Sequence, residues 1–374
     1  MKSQPMKFTI NAQTLLTELS FLSSVAERKN TMLSLTFLSI VSQDAKTLKI
    51  SATDIDVTLS CQIEALISEP GAILVPAAKL LAITKSVPKA ADMTFQSLPD
   101  GGAKLTCERT SFKLQAPQFD SFPQIVEPQN GTINIPTDIF ANMITSTIFA
   151  ITQEESRYTL SGAKLEIDQT SLRMITTDGH RLVKSENSSI TTEQAISLIV
   201  PRKALAELAK ISAAHNGHLS LAADENHIYF QAGPRSLTAR LLFGQFPNYE
   251  MVIPKNNSHS FSVDISAFRE TLKRISLMAD ERSHSIRMDI KPSQLTFSAS
   301  TPNDGEAIEN VPIDFEGEET AIGFNSQYLL EAYSSLSSNQ ATMSFKDGNS
   351  QVMVVPATPT LNQVCNVIMP LRLN

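Results

Sequence analysis

The chain repeats itself three times. MKFTINAQTLLTELSFLSSVA from Met6, GTINIPTDIFANMITSTIFAI from Gly131 and HSFSVDISAFRETLKRISLMA from His259 each run from a short alternating strand through a polar turn into an amphipathic helix. Phe8, Ile133 and Phe261 fall in register. Leu15, Leu19 and Leu22, then Ile139, Met143 and Ile144, then Phe268, Leu272 and Ile275 recur at helical spacing and form an inward stripe. Asp138 and Asp264 stand where N-terminal caps belong, which gives both acids a structural role.

Two further sets of matches keep the same order and an offset of about 125 residues. GAILVPAAKLLAITKSV, ISLIVPRKALAELAKIS and TAIGFNSQYLLEAYSSL read as strand then helix, with Pro76 and Pro201 in the first helical turn. TLKISATDIDVTLSCQI, SLRMITTDGHRLVKSEN and QLTFSASTPNDGEAIENV are strand-like, with Leu48 and Ile50, Leu172 and Met174, and Leu295 and Phe297 on one face. The chain is therefore a triplication, with units 1–131, 132–257 and 258–374. Linker compositions, FPQIVEP and PKNNSH, mark the boundaries. Each unit reads as a doubled strand–helix–strands motif. The expected class is α+β, with helices on one side of antiparallel sheets. Helices are predicted at 11–29, 76–87, 138–150, 201–213, 264–278 and 325–337.

A length of 374 residues already calls for two or three domains. No apolar run approaches the roughly 20 residues that span a bilayer, and MKSQPMKFTI lacks the parts of a secretory signal, so a cytoplasmic protein is expected. Cys61, Cys107 and Cys365 are widely spaced and without a CxxC pair, which argues against a disulfide framework or a zinc site. The net charge of -7 is unevenly spread: the units carry 12 basic and 12 acidic, 11 and 12, and 8 and 14 groups. A neutral first unit and an acidic third suit a head-to-tail contact between copies. The predicted helices hold ten basic residues against seven acids, a small excess that a phosphate-facing surface would need and that ordinary solvated helices also show.

The stretch TTDGHRL, from Thr176 to Leu182, has the residue types of a catalytic loop. A hydrolase or nuclease using Asp178 and His180 is the alternative function. It lacks partners: the six histidines form no HExxH, and no Walker loop, GxGxxG or GxSxG is present. No cofactor or metal is expected. The plainer reading makes Asp178 and Gly179 a tight turn at a strand end.

Three domain-sized repeats, TTDGHRL in the second, LLFGQFPNYEMVIP at its end and VIMPLRL at the terminus together resemble the bacterial DNA sliding clamps, the beta subunits of the replicative DNA polymerase. The resemblance covers essentially the whole chain. It implies three copies of one clamp domain per subunit and a head-to-tail homodimeric ring around double-stranded DNA, without sequence specificity. Helices would line the hole and sheets the outside. The partners implied are replicative and repair polymerases and the clamp loader, with no membrane. The implied location is the nucleoid during replication.

In that family short linear motifs dock in an apolar groove. The resemblance carries it onto Arg157, Leu160, Thr177, Gly179, His180, Arg181, Leu182, Pro247 and Val252. Asn325, Tyr328, Val367, Ile368, Met369, Pro370, Leu371, Arg372 and Leu373 complete the set. Leu182, Val252 and Met369 would form the pocket, with Arg181, Arg372 and Tyr328 bracketing the peptide. Met251 stands where some relatives carry arginine, making that rim less basic. DNA-facing groups are implied at Arg28, Lys29, Lys79, Arg202 and Lys203. Ring closure is implied at Phe112 and Leu114 against Leu277 and Met278, with Lys79 and Arg109 pairing Glu306 and Glu309. The MKSQP extension is expected to be disordered.

Overall fold

A computed structural model of the chain describes residues 5–26, 31–127, 133–154, 156–193, 195–302 and 305–373. Residues 1–4 of the MKSQP extension, and Arg28 and Lys29, lie outside the described residues.

The first repeat holds β1 (Lys7–Asn11), α1 (Ala12–Leu22), β2 (Phe37–Ser42), β3 (Thr47–Thr53), β4 (Val57–Glu64), β5 (Leu66–Glu69), β6 (Ala72–Pro76), α2 (Ala77–Ser86), β7 (Asp92–Ser97), β8 (Ala103–Cys107) and β9 (Thr110–Leu114). The second holds β10 (Ile133–Pro136), α3 (Thr137–Thr147), β11 (Gly162–Ile167), β12 (Leu172–Thr177), β13 (Arg181–Asn187), β14 (Ile196–Pro201), α4 (Arg202–Ala214), β15 (His218–Ala223), β16 (His227–Ala232) and β17 (Arg235–Arg240). The third holds β18 (His259–Asp264), α5 (Ile265–Ser276), β19 (Ser285–Lys291), β20 (Gln294–Thr301), β21 (Gly305–Pro312), β22 (Thr320–Asn325), α6 (Ser326–Ser334), β23 (Gln340–Phe345), β24 (Val352–Pro356) and β25 (Gln363–Ile368). Strand, helix and three strands occur twice in every repeat, and β5 is the one addition to the pattern.

The helices begin where capping chemistry starts them. Asn11 accepts from the backbone N–H groups of Gln13 and Thr14, Asp264 from Ala267, and Asn325 from Gln327 and Tyr328. Asp138 is not a cap. Thr137 is already helical, and the Asp138 carboxylate accepts from its neighbour Ile139 at 2.9 Å. Pro76 sits at the N-cap of α2, one residue earlier than expected, and Pro201 ends β14. The helix predicted over 11–29 stops at Leu22, because the hydroxyls of Ser23 and Ser24 donate back to Ser20 and Phe21 carbonyls and close the last turn. The observed helices carry eight basic and five acidic residues, which preserves the excess of three.

The tertiary structure regroups the repeats. Two compact units form, one from residues 1–137 and 210–241, the other from 138–209 and 242–374, so the middle repeat is divided between them. In the first unit β10-β15-β16-β17 continues through β4 into β4-β3-β2-β6, and a second sheet runs β5-β1-β7-β8-β9. In the second unit β14-β11-β12-β13 continues through β25 into β25-β24-β23-β18, and a second sheet runs β21-β20-β19-β22. Both joints are antiparallel, with Leu237 opposite Leu59 in one and Asn366 opposite Val183 in the other.

Different chemistry lies beneath the two joints. Under the first, Arg235 of β17 grips Glu18 of α1 through two 3.0 Å hydrogen bonds, its guanidinium 4.7 Å from the Phe21 ring centroid. Under the second, Asn362 bonds Asn187 and Asn142, both at 2.9 Å. The side chains of Glu18 and Arg235 are 13% and 18% exposed, so removing one partner strands a nearly buried charge. Glu18→Ala is expected to cost roughly 3 kcal/mol, read as a lower urea midpoint for the full chain, with Glu18→Ala/Arg235→Ala recovering part of the loss.

Candidate peptide-binding groove

The turn between β12 and β13 is built from the seven residues that invited a catalytic reading. Gly179 takes φ 89°, open to glycine, and a Cβ there would lie 2.8 Å from an Arg157 nitrogen. Thr177 donates to the Arg181 carbonyl at 2.6 Å and accepts from the Gly179 N–H at 3.1 Å. The Asp178 carboxylate accepts from the backbone of His180 and Arg181 and from the Arg181 guanidinium at 2.9 Å. These bonds commit the Asp178 carboxylate to shaping the turn rather than to orienting the His180 ring, which gives the hydrolase reading no support.

Strand alternation then sorts side chains onto two faces. Ile175, Leu182 and Val367 point to one face and join Ile199, Phe246 and Tyr249 in a buried cluster, with Leu160, Leu242, Val252, Ile253 and Cys365 packed against it. The segment after β17 supplies the far wall, held to the sheet by Tyr249, whose hydroxyl donates to Glu166 at 2.7 Å. Burial, then the Glu166 carboxylate, push that hydroxyl's pKa above its ordinary range. Pro247 is exposed at the edge of this wall. Ile368, one residue beyond Val367, faces the opposite side and is buried in the core of the third repeat, against which Tyr328 also packs.

Beside the apolar cluster lies a second, more polar surface. The Arg181 side chain is 9% exposed. It ion-pairs with Glu331, donates to the Phe149 carbonyl at 2.9 Å and lies 4.4 Å from the Tyr328 ring centroid. Each of its three nitrogens has a partner inside the protein, and the guanidinium so held braces Tyr328. Tyr328 stacks with His180 at 6.5 Å. Arg157 donates to the Asp178 carbonyl at 2.6 Å, and Asn325 is occupied as the α6 cap. Met369, 38% exposed, bonds through its N–H to the His180 carbonyl at 2.9 Å. Past Pro370, Leu371 bridges to Gly323, where a Cβ would lie 2.7 Å from the Leu371 carbonyl and 2.9 Å from Leu373. Arg372 is exposed.

The same sheet position in the first unit is polar. Where Leu182 opposes Val367, Thr58 opposes Thr238, and where Ile175 stands, Ser51 bonds Ser60 at 2.8 Å. Thr53 likewise bonds Thr58 at 2.8 Å, so the repeats share a backbone while this face carries hydroxyls at the first joint and apolar side chains at the second. Sequence reasoning missed Ile175, Ile199, Leu242 and Phe246. The alternation within RMITTDGHRL could have found Ile175, whereas the wall residues come from a segment without periodicity.

Of the remaining predicted groups, Lys79 and Lys203 are exposed on their helices, and Arg202 donates to the Ile151 carbonyl at 3.0 Å. Phe112 is half-buried, Leu114 buried, and Leu277 82% exposed. Arg109 and Glu306 are exposed, and Met278 packs partly against the third-repeat core. Glu309 already accepts from Thr271 at 2.8 Å and from Arg274 at 2.9 Å. Among the described residues no helix is long and apolar enough to cross a membrane.

Sequence models of the DNA polymerase III beta subunit match the chain three times in succession: the N-terminal domain over residues 6–126, the central domain over 134–248 and the C-terminal domain over 250–372. The beta sliding clamp of Pseudomonas putida is 33% identical over 98% of this chain and all of its own length, and that of Caulobacter vibrioides is 32% identical over the same shares. Among solved structures, the sliding clamp of Pseudomonas aeruginosa bound to griselimycin superposes with a TM-score of 0.93 at 30% identity, covering 99% of this chain and 100% of that one. The Caulobacter crescentus clamp gives 0.94 at 31% identity, with the same coverage. From the first repeat to the last, the chain belongs to the DNA polymerase III beta subunit family of sliding clamps, non-catalytic processivity factors of DNA replication.

Proposed function

We propose that two copies of this chain close head to tail around duplex DNA and that the hollow centred on Leu182 holds linear motifs of polymerases and the clamp loader. The observation that carries the groove is the cluster of Ile175, Leu182 and Val367 on a sheet face whose counterpart in the first unit is lined with hydroxyls. A small apolar hollow with an adaptable methionine at its mouth suits several partners at modest affinity. The three repeats, 1–131, 132–257 and 258–374, are the domains of this reading.

Ring closure follows from the internal joints. In both, the last strand of a repeat's first motif pairs with the last strand of the next repeat: β4 with β17, β13 with β25. The same rule leaves β21 and β9, each at the end of its sheet, to pair between copies. Their register transfers as well. Leu237 opposite Leu59 and Asn366 opposite Val183 correspond to Phe112 opposite Ala307, which sets Lys113 opposite Glu306 and Thr110 opposite Glu309. In this register Lys113, rather than Lys79 or Arg109, faces Glu306, and Glu309 keeps Arg274.

The exposed Lys79 and Lys203 support a DNA-facing helical surface, and enclosure removes any need for a net positive charge. The protein is to be loaded by a clamp loader on nicked circular DNA, washed at high salt, and the DNA then linearised. Retention on the circle and release from linear ends are expected. Salt-sensitive binding indifferent to linearisation would sink the ring.

A further inference from the structure

We propose that the groove extends onto an exposed apolar rim, Tyr158, Phe243 and Met251, which takes one further aromatic or long aliphatic side chain from the docked peptide. The inference rests on the groove reading above. These three side chains are 53%, 55% and 82% exposed. Each adjoins a residue packed against the groove cluster: Tyr158 opens the turn that ends at Leu160, Phe243 follows Leu242, and Met251 precedes Val252. A Cβ on Gly244 would meet the Thr159 methyl carbon at 2.5 Å, so the chain just after Phe243 lies directly against the turn bearing Tyr158. The rim therefore borders the cluster on which Leu160, Leu242 and Val252 pack.

Charge selects among flanks. An acidic side chain arriving here meets Glu250, next to Met251, and a guanidinium, Arg157, already paired with Glu154 at 3.0 Å. An apolar side chain instead covers hydrophobic surface that water now wets, and exposed apolar surface beside a cleft is characteristic of protein docking. Methionine can adapt to more than one such side chain.

The test uses the full-length protein and fluorescent synthetic peptides that share two leucines as anchors. The peptides carry either Phe or Asp at one flanking position, before the anchors in one series and after them in the other. In at least one series the Phe peptide is expected to bind about tenfold more tightly than the Asp peptide. Phe243→Glu/Met251→Arg, two changes at exposed positions, should bring that ratio to within about twofold. Equal affinities for wild type in both series, or a preference that survives in the variant, would overturn the rim. So would a change in the variant's sedimentation, which would make the rim a contact between copies. Leu182→Ala separates this reading from the one beneath it: if that variant binds every peptide as wild type does, the groove itself fails, whereas Leu182-dependent but flank-indifferent binding refutes the rim alone.

Discussion

Truncation after Ile368 is expected to reduce polymerase stimulation to the level seen without the protein, while the dimer and its retention on circular DNA persist. The lost residues include Met369, tied to the His180 carbonyl at 2.9 Å, and Leu371, tied to Gly323 at 2.8 Å. They follow the last paired residue of β25, so the sheet built from β13 and β25 stays paired through Ile368. A buried apolar anchor is worth roughly 1.5–3 kcal/mol, and loss of the contacts made by one or two such anchors weakens peptide binding by about 100-fold or more. Leu182→Ala is the companion variant. Leu182 is 2% exposed, and its truncation costs roughly 2–5 kcal/mol of stability, leaving the strand pairing intact. Primer extension and sedimentation together decide the matter. A truncated protein that still stimulates a polymerase would refute the groove, and one that sediments as a monomer would show that these residues serve assembly.

The second large effect concerns the seam between copies. Phe112→Asp is expected to convert the dimer to monomers, because a half-buried ring on the last strand of the first repeat would give way to a charge opposite Ala307. Truncating a central aromatic anchor typically costs 2–4 kcal/mol, which raises the dissociation constant by roughly 30- to 1,000-fold. Peptide affinity should not change, since the groove lies in the second compact unit and Phe112 in the first. Charge reversal tests the register more finely. Lys113→Glu and Glu306→Lys each place like charges opposite one another and should weaken association, whereas the double swap should restore it. Failure of the swap to rescue, with Arg109→Glu/Glu306→Lys rescuing instead, would shift the register.

Much of the local structure was legible because it is periodic. The inward stripes of α1, α3 and α5 and the faces of β3, β12 and β20 repeat at fixed spacing, and three copies of each signal reinforce one another. Helix ends were less legible. Ser23 and Ser24 look like ordinary helix residues until their hydroxyls are seen closing α1, and Asp138 looks like a cap until Thr137 is seen to be helical already. In the groove, resemblance carried over Ile368 together with Val367. A backbone that alternates sides turns their side chains to opposite faces, and that of Ile368 packs into the core of the third repeat.

The amino-acid order by itself determined that there are three repeats, that each is a doubled strand–helix–strands motif, and that TTDGHRL occupies a turn between two strands. Those are near-neighbour properties, set by periodicity and turn chemistry. Only the tertiary structure decided that the middle repeat lends half its strands to each neighbour, and that Leu182 meets Val367, 185 positions away, on a face where the first joint has two threonines. Register across such a joint depends on which side chains pack beneath both sheets at once, the Glu18–Arg235 pair in one case and the Asn362 network in the other. That information is spread over residues with no common period, so it exists only once the chain has folded.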